Sequence, residues 1–260
     1  MITVLKSVVI IIKASENRFL TSINRLTLHL VSLMAWFSKK GGDDLVTGEV
    51  PIIDTNNPEE TKTATFSMGC FWGPDALFGS KDGVVRTRVG YAGGTKQDPT
   101  YRSLGDHTET TQIDYDPNKI TYSELLDIFW SNHDPTTRRT TQYMTMIFYH
   151  DEEQKKLALE SKEQMQERTN TDVKTEIVEY DKFYLAEDYH QKYQLSRNSR
   201  LYSAFKSIYP DMKDFVDSTA VARANGLVSG KGDISIVDKL GLNEEGKELI
   251  RKTYKRAGGG

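Results

Sequence analysis

Ala64-Thr65-Phe66-Ser67-Met68-Gly69-Cys70-Phe71-Trp72-Gly73-Pro74-Asp75 is the stretch on which the reading of this chain turns. The first five residues make a short, largely apolar strand that runs straight into a pentapeptide bracketed by glycines, which suits a tight turn. Pro74 fits the first turn of a helix, where its missing N–H is no loss, and Asp75 suits the positive helix end. Cys70 is therefore expected where a strand turns into a helix. A thiol there faces unpaired backbone N–H groups and the positive end of the dipole, both of which favour the thiolate. Phe71 and Trp72 would set two aromatic faces beside the sulfur, suited to an apolar group such as a thioether methyl. The bland alternative is a small buried hydrophobe, the usual fate of a lone cysteine. Cys70 is the only cysteine among 260 residues, so an intrachain disulfide and every multi-cysteine zinc or iron–sulfur site are excluded.

Outward from this junction, Val84 to Ala92 alternates as a strand does, and Gly90 to Gly94 is a glycine-rich turn. Thr108 to Asp116 reads as the next strand, closed by Asp116-Pro117-Asn118. Thr121 and Glu124 have capping-box spacing and open a helix with Leu125, Ile128 and Phe129 on its buried side. A strand over Tyr143 to Tyr149, a charged helix from Asp151 to Arg168 and a strand over Lys174 to Tyr180 follow, with helices to Ala224. The order β-α-β-β-α-β predicts an α+β fold: a ferredoxin-like split βαβ sandwich with additional C-terminal helices, its antiparallel sheet covered on one face.

The flanks read differently. Residues 1–45 hold Lys6, Lys13, Arg18, Arg25, Lys39 and Lys40, with Glu16 the only acid before Asp43. Their apolar runs fall short of the roughly 18 residues of a membrane helix. Such a leader is compatible with mitochondrial targeting or a signal sequence, and equally with an extension that carries no address; the cytoplasm is the expected compartment otherwise. Residues 46–63, with Pro51 and Pro58, read as a linker, 64–224 as the catalytic domain and 225–260 as an exposed tail, its charges Asp233, Lys239, Glu244, Glu248 and Arg251 those of a solvated segment. A net charge of −3 gives no reason to expect nucleic acid or an anionic membrane as partner. The histidines carry no metal-ligand spacing, so no metal is expected.

One series of motifs goes further than composition. Gly69-Cys70-Phe71-Trp72-Gly73 is followed in order by Gly90-Tyr91-Ala92-Gly93-Gly94, Pro99-Thr100-Tyr101, His107-Thr108-Glu109 and Tyr115-Asp116-Pro117. Then come His133-Asp134-Pro135-Thr136, Thr141-Gln142-Tyr143 and Ala186-Glu187-Asp188-Tyr189-His190-Gln191. The series, over roughly residues 64 to 210, resembles the A-type peptide methionine sulfoxide reductases. The resemblance implies Cys70 as nucleophile, Glu109 as acid, Tyr101 and Tyr143 as hydroxyl donors, and Phe71 and Trp72, beside Gly69, as the binding site of the sulfoxide methyl. It implies oxidised methionine, protein-bound or free and of the S epimer, as substrate. The thiolate would attack sulfur and leave a cysteine sulfenic acid. No cofactor is expected to be bound; the reductant would be an external thiol, thioredoxin or glutathione with glutaredoxin, and the enzyme a monomer acting in protein repair under oxidative stress. The chemistry agrees with these roles, since a sulfoxide oxygen leaves only when protonated, which calls for a carboxyl kept protonated by burial. Two rival readings stay open at this point: a thiol peroxidase, and a non-catalytic methionine-sulfoxide binding module.

Three departures from the family pattern stand out. Only seven residues, Arg102 to Thr108, separate Tyr101 from Glu109. The stretch between His133-Asp134-Pro135 and Thr141-Gln142-Tyr143 is also short, with Arg138-Arg139-Thr140 where the family has a Gly-Asn-Asp element. That leaves Asp134 as the candidate substitute acid, and His107 as a candidate to orient Glu109. The C-terminal segment holds no recycling cysteine.

Overall fold

The computed structural model describes residues 45–56 and 58–260. The targeting expectation for residues 1–45 falls almost wholly outside that range. The fragment around Cys70 folds as its pattern predicts. Strand β1 (Lys62–Met68) is buried along its middle, ends at Gly69, and leads into helix α1 (Trp72–Gly79). Gly69 has φ +83°, a left-handed conformation that reverses the chain between strand and helix and that a side chain would strain.

Strands β2 (Val84–Ala92) and β3 (Thr108–Tyr115) follow. Helix α2 (Tyr122–Ser131) opens on the predicted capping box: Thr121 accepts from the Glu124 N–H and the Glu124 carboxylate accepts from the Thr121 N–H. Strand β4 (Thr145–Tyr149), helix α3 (Glu152–Thr169) and strands β5 (Glu176–Glu179) and β6 (Phe183–Leu185) complete the sheet, in the order β5-β4-β1-β3-β2-β6. Its central four strands are antiparallel, in the order of a split βαβ sandwich. The sheet as a whole is mixed, because α3 carries the chain from β4 to a β5 that pairs with it in parallel. β6 was not legible in the sequence; three residues are too few to show a period.

The helices after β6 are α4 (Tyr193–Ser196), α5 (Ser199–Ile208), α6 (Met212–Asp217), α7 (Thr219–Leu227) and α8 (Glu244–Arg256). α7 lies directly on α1. A Cβ on Gly226 would come within 2.5 Å of the Ser80 Cβ and 2.9 Å of the Ala76 carbonyl, so the close approach requires glycine there. Arg223 of α7 is buried and donates to the carbonyl of Gly79 at the far end of α1 and to that of Val84 at the start of β2.

A buried ion pair fixes the middle of α1. Asp75 and Lys192 are both fully buried, with Lys192 Nζ 2.7 Å from Asp75 Oδ1, and Thr87 and Asn225 also donate to the Asp75 carboxylate. Burial pulls the Lys192 ammonium below its ordinary range, opposed by Asp75. Asp75 thus faces inward as a tie between α1, β2 and α7, a role beyond the helix-end charge expected of it.

Two expected boundaries need correction. Residues 225–260 are not an exposed tail: Val237, Leu240, Leu242 and Ile250 are buried with Leu201, Phe205 and Val221 in one apolar cluster. The charges named above lie mostly on the solvent side, and the apolar spacing between them is what packs the segment. Nor is 46–63 a free linker. Leu45 is fully buried, Thr47 N–H donates to the Gly241 carbonyl, and Asp54 accepts from the N–H groups of Thr219 and Ala220 at the start of α7. Lys62 and Thr63 already belong to β1.

Truncating Ile250 to alanine should lower unfolding free energy by about 2–5 kcal/mol, the cost of a cavity in a packed core. A change within about 0.5 kcal/mol in a denaturant titration would mean the segment is not part of that core. Lys192→Met, which strands the Asp75 carboxylate, should cost about 3–5 kcal/mol, and the Asp75→Asn/Lys192→Met pair should recover part of the loss.

Candidate active site

The start of α1 brings two chemical groups together. The Phe71 N–H donates to Glu109 Oε2 at 3.1 Å, and the next N–H, of Trp72, is directed to the Cys70 sulfur. These N–H groups have no partner inside the helix, so they are free to hold a carboxylate and a thiol side by side.

Cys70 is exposed, yet its thiol lies above the ordinary range. Desolvation by the surrounding protein is the largest cause, the Trp72 N–H opposes it, and the Glu109 charge adds to the rise. The expectation that the helix start would favour the thiolate is therefore corrected: desolvation and a nearby carboxylate outweigh the helix N–H. Glu109 is 1% exposed on β3. Burial raises its carboxyl, against hydrogen bonds from Gln142 Nε2 (2.9 Å) and Phe71 N–H. An ionised Glu109 disfavours the thiolate and a protonated one permits it, so the two groups titrate against each other.

Tyr143 stands at the end of a single 3₁₀ turn (Thr141–Tyr143) before β4, where the sequence suggested the strand had already begun. Its hydroxyl is pushed up to about 12 by burial, by Glu109 and by a hydrogen bond with Tyr101, so it stays a donor. The Tyr101 N–H donates to Glu187 Oε1 at 3.1 Å, while Tyr91 Oη donates to Glu187 Oε2 at 2.7 Å. Burial would raise Glu187, but its hydrogen bonds, Tyr91 and Tyr101 among them, bring it below its ordinary range.

The aromatic pair divides its duties. Phe71 is 1% exposed and packs on Tyr91 and His190, so it offers no open face. Trp72 is half-buried, stacked on Tyr193 with ring centres 3.7 Å apart, and donates from Nε1 to His190 Nδ1 at 3.3 Å. Gly69 keeps the backbone open beside the sulfur.

Cys70, Glu109, Tyr101, Tyr143, Trp72 and Gly69 are thus gathered in one place, with Phe71 beneath them. Two candidates are not. Asp134 is exposed and its oxygens are taken by Thr136 and Thr137, which hold its carboxyl at about 2, well below the usual range. His107 accepts from the Gly94 N–H and its other ring nitrogen meets the Lys96 carbonyl; it braces the glycine turn rather than Glu109. Gln142 and Glu187 were given no role from the sequence. Glu187 reaches Tyr101 across 86 residues of chain, which no local pattern reveals. Among the described residues, no group of three or more His, Cys, Asp or Glu could hold a metal ion, and no helix is long and apolar enough to cross a membrane.

A gathered thiol, buried carboxyl and paired phenols define a cysteine-dependent enzyme. The model of the family "Peptide methionine sulfoxide reductase" matches residues 62–223, and the chain belongs to that family. It is 48% identical over 187 residues to a peptide methionine sulfoxide reductase of Drosophila melanogaster, covering 71% of this chain and 74% of the relative. With the corresponding enzyme of Methanococcoides burtonii it shares 47% identity over 142 residues, half of this chain and 93% of that one. Among solved structures, reduced Mxr1 from Saccharomyces cerevisiae matches with a TM-score of 0.51 at 33% identity, covering 55% of this chain and 88% of the yeast chain. The activity is accordingly that of a methionine sulfoxide reductase.

Alkylation of Cys70 by iodoacetamide, followed against pH, should show a midpoint above about 8.5, the value of an ordinary thiol. Glu109→Gln should lower it, since the charge that opposes ionisation is gone. A wild-type midpoint well below 8.5 would contradict the electrostatics described here.

Proposed function

We propose that this chain reduces the S epimer of methionine sulfoxide, protein-bound or free, with Cys70 as nucleophile and Glu109 as acid. The observation that carries this reading is that adjacent N–H groups of one helix start are aimed at the Cys70 sulfur and at a buried, raised Glu109 carboxyl. With Glu109 protonated, the thiol loses the charge that opposes its ionisation. The Cys70 thiolate attacks the substrate sulfur as Glu109 donates its proton to the sulfoxide oxygen, while Tyr101 and Tyr143 donate hydrogen bonds to that oxygen. Methionine leaves with the electron pair, and the hydroxyl passes to Cys70 as a sulfenic acid: methionine sulfur is reduced by two electrons and cysteine oxidised by two. The half-buried face of Trp72 receives the methyl group, with Phe71 as its support.

Cys70 is the single cysteine, so recovery needs an external thiol. One thiol condenses with the sulfenic acid, releasing water and leaving a mixed disulfide; a second displaces it. Thioredoxin, or glutathione with glutaredoxin, would serve. A thiol peroxidase would not account for an aromatic face beside the sulfur, since peroxide offers no apolar group.

Incubation with both sulfoxide epimers and no reductant should consume only the S epimer, release one methionine per chain and add one oxygen to the protein mass. Glutathione should then replace that oxygen by a single glutathionyl group. Methionine released without any mass change overturns the sulfenic acid route, and binding without release overturns the reductase reading. Glu109→Gln should slow the first turnover by about 10²–10⁴-fold. It should also abolish the fall in rate that the wild type shows as pH rises through the Glu109 titration. A near-normal first turnover in that variant would mean the proton comes from elsewhere.

A further inference from the structure

Arg138 and Arg139 follow Pro135 in the short loop before the Thr141–Tyr143 turn, and both are exposed. They border a cavity of about 280 Å³ that also touches Thr141, Met144, Lys174 and Glu176. Arg139 connects this cavity to the turn at Cys70. Arg139 Nη1 lies 3.7 Å from the point a Cβ on Gly69 would occupy, and Gly69 directly precedes Cys70. Thr141 opens the turn that carries Gln142 and Tyr143.

The charge on its wall is unbalanced. Lys174 is engaged by Asp172. Asp134, which feels the Arg139 charge, has its oxygens held by two threonines. Glu176 is the one carboxylate lining the cavity, and neither Arg138 nor Arg139 makes an ion pair or hydrogen bond with it or with any other described residue. Two guanidinium groups on one cavity wall, the second of them beside the Cys70 turn, suit a carboxylate, whose planar pair of oxygens matches the guanidinium fork. Consecutive residues of a peptide stand about 3.8 Å apart at Cα, so a side chain next to an oxidised methionine seated at Cys70 would lie within range of Arg139, which stands against Gly69.

We propose that the Arg138–Arg139 cavity receives an acidic side chain adjacent to the oxidised methionine, so that this enzyme favours methionine sulfoxide flanked by aspartate or glutamate. The proposal rests on the reductase reading above and adds a substrate class to it.

The test uses the full chain, excess dithiothreitol as a neutral reductant, and three capped peptides, Ac-Ala-X-Met(O)-X-Ala-NH2, with X aspartate, alanine or lysine. At low ionic strength kcat/KM should fall in that order over roughly tenfold, the scale of one or two charge-assisted contacts, and the spread should narrow at about 0.5 M salt. The Arg138→Gln/Arg139→Gln pair should bring the aspartate-to-alanine ratio to about one, while the Arg138→Lys/Arg139→Lys pair, which keeps the charge, should hold it above one. Equal kcat/KM for the three peptides in the wild type, or an aspartate preference that survives the glutamine pair, overturns the proposal. Failure of the wild type to turn over any of the peptides would count instead against the reductase reading.

Discussion

The chemistry proposed for this protein depends on where the first N–H groups of α1 point. The Phe71 N–H holds the Glu109 carboxylate and the Trp72 N–H favours the Cys70 thiolate, so the proposed acid and nucleophile share one helix end. Backbone donors cannot rotate away as side chains do, and they keep both partners placed before substrate arrives. The helix end does not by itself make a thiolate. Burial and the Glu109 charge raise the thiol, and protonating Glu109 relieves one of these two effects. In the mechanism we propose, the proton that Glu109 gives to the sulfoxide oxygen is the same one whose presence on Glu109 helps the thiol to ionise.

Holding that helix end still falls to residues far from it in sequence. The buried Asp75–Lys192 pair, with Thr87 and Asn225, ties α1 to β2 and α7. Arg223 secures the far end of the helix. α7 in turn takes Asp54 at its own start and rests on the apolar cluster formed with residues 237–250. The segments before β1 and after α7 are therefore structural supports of the site, although they contribute no group to it.

Where the signal is local, the sequence shows the structure. The strand–glycine–helix junction at Cys70, the Thr121–Glu124 capping box and the alternation of Val84 to Ala92 each write their geometry within a few residues. Asp134 and His107 are not legible in this way: their partners are Thr136, Thr137, Gly94 and Lys96, none of them a group of the site. Gln142 and Glu187 are not legible either, because they act on the Glu109 side chain 33 residues away and on the Tyr101 backbone N–H 86 residues away. The segment 225–260 was misjudged because its charges are conspicuous, whereas Val237, Leu240, Leu242 and Ile250 show their purpose only against the helices they meet.

By itself the sequence determined that one cysteine would stand at a strand-to-helix turn in an α+β sandwich. Turn and capping residues act on their immediate neighbours, and an ordered series of motifs places this chain among its relatives. Only the tertiary structure decided the upward shift of that thiol, the hydrogen bonds on Glu109, the closed face of Phe71 and the approach of Arg139 to Gly69. Burial, field and long-range contact belong to the surroundings of a residue, and the surroundings are assembled from the whole chain.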